Sequence, residues 1–313
     1  MGLVCLLLLV HARRAGSSSA AQLRTLLARP GAVQVPGVHD ALSAKIFSEA
    51  GAECLFLSGF GVSAAKLGVP DAGILAYPEM EEAARACASA ARGVPLIVDG
   101  DTGYGGAANV RRTVRGFAAA GAAAVTIEDQ RFPKRCTFAA GAGVRVVDRD
   151  AATRRVRAAL RARDEALDLD GNDVLVIART DCRRALGLAE AIERCVAFEA
   201  LGADVVYAEA LESRREYEEL RAALEPATRT MLAQLQPDAT SRPSLSLDEI
   251  SALGFDLSLL GVTALQAVVA ALRAAAEDVL EDGASPSACS FDDVKRVVGF
   301  GDLAAFEGEY ACE

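Results

Sequence analysis

The chain has 313 residues, 52% of them hydrophobic, and a mean hydropathy of +0.23, ample for a large buried core in one barrel or two small domains. Asp and Glu number 43 against 33 Lys and Arg, a formal net charge of −10. That balance argues against nucleic acid or an anionic membrane as partner, because phosphate binding wants a basic face; an anionic small-molecule substrate would need local Arg, Lys or a metal.

Gly2 to Val10 is almost wholly apolar, as in a signal peptide, but no positive charge precedes it. No acidic residue occurs before Asp40, while Arg13, Arg14, Arg24, Arg29 and Ser17 to Ser19 are present. This reads as a leader or disordered extension over 1–22, of transit-peptide type or an ordinary frayed end, and places the chain in the cytoplasm or an organelle matrix rather than outside the cell. The eight cysteines show no CxxC pair and no disulfide-framework spacing, so they read as reduced thiols.

From Ala32 onward, short β-branched apolar runs alternate with Ala-rich stretches of helical period. Strands are predicted at 32–35, 54–57, 95–98, 123–127, 174–178, 205–208, 230–233 and 257–260. Helices are predicted between and after them, at 41–50, 79–92, 107–120, 149–168, 188–201, 214–224, 247–253 and 263–279. Gly51, Gly93, Gly121, Gly202 and Gly254 fall where helices should stop. Eight such units predict an α/β fold, a (β/α)8 barrel over 23–280, with a C-terminal helical extension at 281–313.

A barrel carries its chemistry at the carboxyl ends of its strands. Those ends read Ser58-Gly59, Asp99-Gly100-Asp101, Glu128-Asp129, Arg179-Thr180-Asp181, Glu209 and Gln234. Asp99, Asp101 and Glu128 come from neighbouring strands and would repel one another without a cation; hard oxygen ligands suit Mg2+, or Mn2+. Alternatively, Asp99 or Asp101 caps the turn of DGDTGYGG, whose glycines would let the backbone approach a ligand. Lys134-Arg135-Cys136 opens a long loop of the kind that closes over a site, and a Cys beside two cations would have a lowered pKa. From that tripeptide alone, a surface thiol beside solvated charges is the plainer reading. Arg179 ends an apolar strand, so it pairs with Glu209, clamps a substrate carboxylate, or both. His39 reads as a capping or packing residue.

These residues resemble a known group. VPGVHDALSAKIFSEAGAECLFLSGFGVSAAKLGVPDAG, VDGDTGYGG, TIEDQRFPKRC, ARTD and YAEA, in that order, are similar to the isocitrate lyase and phosphoenolpyruvate mutase superfamily, including its 2-methylisocitrate lyase-like and oxaloacetate hydrolase-like members. The resemblance implies a barrel whose eighth helix is swapped between subunits, usually in a homotetramer built as a dimer of dimers. It implies that the amides of Ser58, Gly59 and Phe60 hold the substrate's 2-oxo carboxylate. Asp99 would be the direct Mg2+ ligand, with Asp71, Asp101 and Glu128 holding its waters. Arg179 would grip substrate, Glu209 and Gln234 would line its site, and Lys134, Arg135 and Cys136 would form the catalytic loop. In that loop Cys136 would exchange a proton with the released fragment.

Three positions depart from the pattern. Thr137 and Phe138 follow the cysteine where lyases of the group have Gly-His, Phe56 stands where isocitrate- and methylisocitrate-cleaving members place Tyr, and Gln234 stands where many have Asn. The reading is therefore a carbon–carbon lyase or hydrolase acting on an oxaloacetate- or malate-like diacid. Its alternatives are a phosphoenolpyruvate or phosphonopyruvate phosphomutase or hydrolase, and an inactive Mg2+/dicarboxylate-binding homologue.

Overall fold

The protein is described here from a computed structural model, which covers residues 18–139, 143–235 and 245–311. Eight parallel strands follow one another around a closed barrel: β1 (Val33–Val38), β2 (Leu55–Leu57), β3 (Leu96–Asp99), β4 (Ala124–Glu128), β5 (Leu175–Thr180), β6 (Val205–Ala208), β7 (Thr230–Ala233) and β8 (Leu257–Leu260), with β8 paired to β1. The expected (β/α)8 architecture is what these residues form. Gly51 and Gly121, at φ +96° and +97°, end the helices Ala41–Glu49 and Ala107–Ala119 in the left-handed region that an L side chain avoids.

β3 and β4 end one residue later than the apolar pattern indicates, and two strands run further still. β1 continues through Pro36-Gly37 to Val38, and Gly37 lies so close to the neighbouring chain that a Cβ would sit 2.1 Å from the Gly261 carbonyl oxygen. β5 carries on through Arg179 and Thr180, because pairing with β6 continues past the apolar run.

Strand pleating sorts the side chains. Val35, Phe56, Ile97, Ile177, Tyr207 and Leu259 point into the barrel and form one buried cluster. Val98, Val125, Val176 and Val206 point outward and pack with the surrounding helices in a second. Each such side chain contributes about 1.5–3 kcal/mol by leaving water.

A helix at Ser19–Leu27, unpredicted from the sequence, adds Ala20, Leu23 and Leu27 to the inner cluster. Ser18 caps it, and Arg24 forms a two-point ion pair with Asp173, just before β5. The helix therefore closes the amino-terminal end of the barrel. The extension expected over 1–22 overlaps this helix, so residues 18–22 are structured; residues 1–17, including Cys5 and His11, lie outside the described residues.

The chain divides into two compact units, one ending at Thr263 and the other running over Ala264–Glu313. Taken by itself, the second holds most of the helix Thr263–Asp282 and the helices Phe291–Val298 and Phe300–Tyr310. Ser290 caps the middle helix, which Gly299 ends at φ +91°. Among the described residues no helix is long and apolar enough to cross a membrane.

Candidate active site

Following each inward-facing register to the carboxyl rim explains the charges there. Asp99 is two residues beyond Ile97, Glu128 four beyond Ala124, Arg179 two beyond Ile177 and Glu209 two beyond Tyr207, so all continue the inner face. Glu128 lies opposite Arg179 in the ladder, and Arg179 opposite Tyr207. Asp129 and Thr180 have the other parity and face the helices.

These rim residues line a cavity of about 270 Å3 together with Ser58, Phe60, Asp71, Gln234 and residues 134–139. Phe56, Phe138, Leu235, Leu259 and Val262 give one part of its wall an apolar surface. The sequence-predicted site residues thus converge, with Asp101 buried directly behind Asp71 and Lys134.

On the β2–β4 side, Asp99 Oδ1 accepts from the Asp101 amide and the Thr126 hydroxyl, both at 3.2 Å, and its Oδ2 accepts from the Gly59 amide at 3.3 Å. The Ser58 amide donates to the Val38 carbonyl at 3.0 Å. Two of the three amides expected to bind a carboxylate are therefore engaged within the protein, and a ligand must displace Asp99 from Gly59. Asp101 adopts φ +47°, a strained conformation for a residue with a Cβ. Burial, reinforced by Asp99, pushes its carboxyl up to about 7 despite Lys134.

Two of the DGDTGYGG glycines are required by the protein's own packing: a Cβ on Gly100 would lie 2.3 Å from the Thr126 carbonyl oxygen, and one on Gly103 2.4 Å from Val110.

Lys134 is the main revision on this side. Its ammonium is buried, ion-paired with Asp71 and lying 2.7 Å from Asp101. Burial works against the charge, but Asp101 and Asp71 outweigh it and hold the lysine well above its ordinary range. Among the described residues no three His, Cys, Asp or Glu side chains group closely enough to hold a metal ion by themselves. The donors still fit Mg2+ bound largely through water: they are all carboxylates, and Glu128 Oε1 is buried without a hydrogen-bond partner.

The β5–β6 side centres on Arg179. Its main partner is Asp181, through two bonds of 2.9 and 2.8 Å, with Glu209 at 3.2 Å and Glu128 at 3.5 Å. The expected pairing with Glu209 is present but secondary. Burial opposes the guanidinium's charge, and Asp181 and Glu209 raise its pKa well above the usual value. Glu209 accepts from the Tyr207 hydroxyl, and burial raises its carboxyl. Glu128 is pushed well above the carboxylate range, first by burial and then by Asp181.

Residues 131–139 are fastened to this rim. Gln130 brackets Arg135, its amide accepting from the Arg135 N–H and donating to its carbonyl, both at 2.9 Å. The Cys136 amide donates to the Asp71 carbonyl at 3.2 Å, and the Arg135 guanidinium to that of Ala72 at 3.1 Å. The charges of Lys134 and Arg135 are thus engaged by partners other than the thiol. Contrary to the expected lowering, burial raises the Cys136 pKa, so the group is a thiol rather than a thiolate at neutral pH.

Gln234 lines the cavity as expected, and its side-chain amide also bonds the Leu245 backbone at both ends, at 3.0 and 2.7 Å. His39 is a buried packing residue, its amide donating to Ser43 at 3.1 Å.

Sequence reasoning missed the support behind the rim. Asp129 accepts from the Asp181 amide and from Arg194, both at 2.9 Å, and Arg194 also donates to Glu190 at 2.9 Å. The signal available was an Arg at a helix position whose neighbours Ala191, Cys195 and Phe198 are all core.

With this geometry established, comparison with known proteins is decisive. The phosphoenolpyruvate phosphomutase family matches residues 23–280. The chain belongs to that family. It is similar to the 2,3-dimethylmalate lyase of Eubacterium barkeri, at 33% identity over 94% of this chain and 99% of the relative. Among solved structures it resembles oxaloacetate acetylhydrolase in complex with 3,3-difluorooxalacetate, with a TM-score of 0.87 and 32% identity over 95% of this chain and 98% of that one. It also resembles phosphonopyruvate hydrolase complexed with oxalate and Mg2+, with a TM-score of 0.81 and 29% identity over 95% of this chain and 100% of that one.

Proposed function

We propose that the chain is a Mg2+-dependent lyase that breaks the carbon–carbon bond beside C2 of a small 2-hydroxy or 2-oxo diacid, an alkylmalate or an oxaloacetate relative. The observation that carries this is Cys136: a half-buried thiol in the wall of the same cavity as Asp99, Glu128 and Arg179, its pKa raised by that burial. Carbon–carbon cleavage sends an electron pair to a carbon stabilised only by its own carboxylate, which needs an acid held beside it; breaking the carbon–phosphorus bond of phosphonopyruvate leaves the better stabilised enolate of a ketone, with less need of a positioned acid. The likeness to a dimethylmalate lyase and to an acetylhydrolase supports the same reading.

Asp99 would hold the metal directly, with Asp71, Asp101 and Glu128 around its waters. The bound ion would supply stabilisation of negative charge on the substrate's 2-oxygen. Arg179 fixes a substrate carboxylate, and residues 131–139 exclude bulk water. As the bond to C2 breaks, the proton of the 2-hydroxyl, or of the hydrate that one water forms from a 2-oxo group, passes to a carboxylate of the rim, C2 becomes a carbonyl carbon, and Cys136 Sγ–H protonates the departing carbon. The apolar wall of Phe56, Phe138 and Leu235 suits an alkyl substituent. The assembly implied by the family resemblance, a dimer of helix-swapped dimers with the barrel running to about residue 280, is part of the same proposal, as is a cytoplasmic or organelle-matrix location.

Turnover on a panel of 2-hydroxy and 2-oxo diacids beside phosphonopyruvate tests it. Cys136→Ser should lower kcat by about 10²–10⁴-fold with little change in KM, and chelation should abolish turnover. Turnover of phosphonopyruvate, with Cys136→Ser equally active, would overturn the lyase reading.

A further inference from the structure

Thr137 belongs to the segment fastened over the cavity, yet it is only 1% exposed. A hydroxyl so deeply placed needs partners. Its Oγ1 donates to Asp181 and accepts from Gln130 Nε2 at 3.5 Å, while its carbonyl accepts from Arg184 at 2.9 Å. One residue of this segment thereby joins the chain leaving β4 to the chain leaving β5.

Asp181 gives the contact its meaning. Its carboxylate holds Arg179 at two points, and the oxygen that accepts the Thr137 hydroxyl, Oδ1, is also the one that accepts from Arg179 Nη2 at 2.8 Å. Its amide is fixed by Asp129, which Arg194 secures from behind. With the backbone pinned, rotation of the Asp181 carboxylate is the remaining freedom, and Thr137 and Arg179 set it together. A hydrogen bond to a buried carboxylate is stronger than one between neutral groups.

We propose that Thr137 and Asp181 form a latch that makes closure of residues 131–139 and alignment of the Arg179 guanidinium a single event. Thr137 is a positioning residue: it transmits the closed segment to the substrate clamp and touches no reacting atom. The catalytic consequence rests on the proposed function, since Cys136 precedes Thr137 and reaches its proton-donating position when the latch is made.

The test pairs two readouts on Thr137→Val, which removes the hydroxyl at nearly constant volume, with Thr137→Ser as the rescue. Amide hydrogen exchange of residues 134–139 in the ligand-free protein should be faster in Thr137→Val than in wild type and near wild type in Thr137→Ser, with the thermal transition of the barrel retained. Asp181→Asn should accelerate the same amides. On the best diacid substrate, Thr137→Val should lose roughly tenfold to a hundredfold in kcat with a smaller rise in KM, recovered by serine to within about threefold. Unchanged exchange in Thr137→Val, or equal impairment of the valine and serine variants, would overturn the latch. So would faster exchange with unchanged kcat. If wild type turns over no diacid, the proposed function fails, while the exchange measurements still decide the latch.

Discussion

The two sides of the cavity solve the same electrostatic problem with different materials. On the β2–β4 side, Asp71 and Asp101 close around the Lys134 ammonium; on the β5–β6 side, Asp181, Glu209 and Glu128 surround the Arg179 guanidinium. Lys134 arrives on a loop, at the end of a flexible stem. Arg179 is built into a strand, and its main partner is braced by Asp129 and Arg194. Under the proposed function the Lys134 ammonium would swing aside for a hydrated metal while its segment stays closed, whereas the second site keeps its cation throughout. A planar fork held at two points suits the permanent role, and a compact point charge on a flexible stem suits the exchangeable one.

The largest effect that follows is on stability. Arg179→Met would leave three buried carboxylates without their cation, and urea unfolding should show a loss of about 3–5 kcal/mol. Lys134→Met should cost less than half of that, because its carboxylates can be served by metal and water. Equal losses would erase the distinction between a fixed and an exchangeable cation.

The second effect is on metal affinity. With no ammonium competing for Asp71 and Asp101, Lys134→Met should bind Mg2+ about tenfold more tightly by calorimetry, a change of about 1.4 kcal/mol, while turnover falls. Unchanged affinity would mean that the lysine and the metal do not share a site.

The smallest effect concerns the brace behind Arg179. Arg149, then Arg194, hold the Glu190 carboxyl down to about 2, below its ordinary 4.5. A depressed folded-state pKa contributes stability that is present above pH 4.5 and lost as pH falls toward 2. Glu190→Gln should therefore lower stability at neutral pH by about 1 kcal/mol, allowing for its partial exposure, and flatten the acid limb over that interval. An acid limb identical to wild type would remove Glu190 from the brace.

What the sequence discloses follows the strand period. Asp99, Glu128, Arg179 and Glu209 each extend an apolar run by an even step, so both the barrel and its charged rim are legible from alternation. At Cys136 the two neighbouring cations suggest a lowered thiol pKa, but Lys134 and Arg135 are engaged by Asp71, Asp101 and the Ala72 carbonyl, and burial outweighs the lowering that Lys134 still exerts. Thr137 and Asp181 owe their contacts to loop conformation, which leaves no period in the sequence. The Ser19–Leu27 helix was obscured by its Arg- and Ser-rich surroundings, although Ala20, Leu23 and Leu27 carry a helical spacing.

The filled barrel has a kinetic meaning. Its inward side chains, closed off below by that helix, leave the cavity at the carboxyl rim blind at its base, a cul-de-sac. Of two fragments made inside, the one nearer the closed end must wait for the one nearer the entrance, so departure is ordered by depth. The last fragment to leave occupies the position the next substrate needs, and it will act as a competitive product inhibitor, while its partner will not.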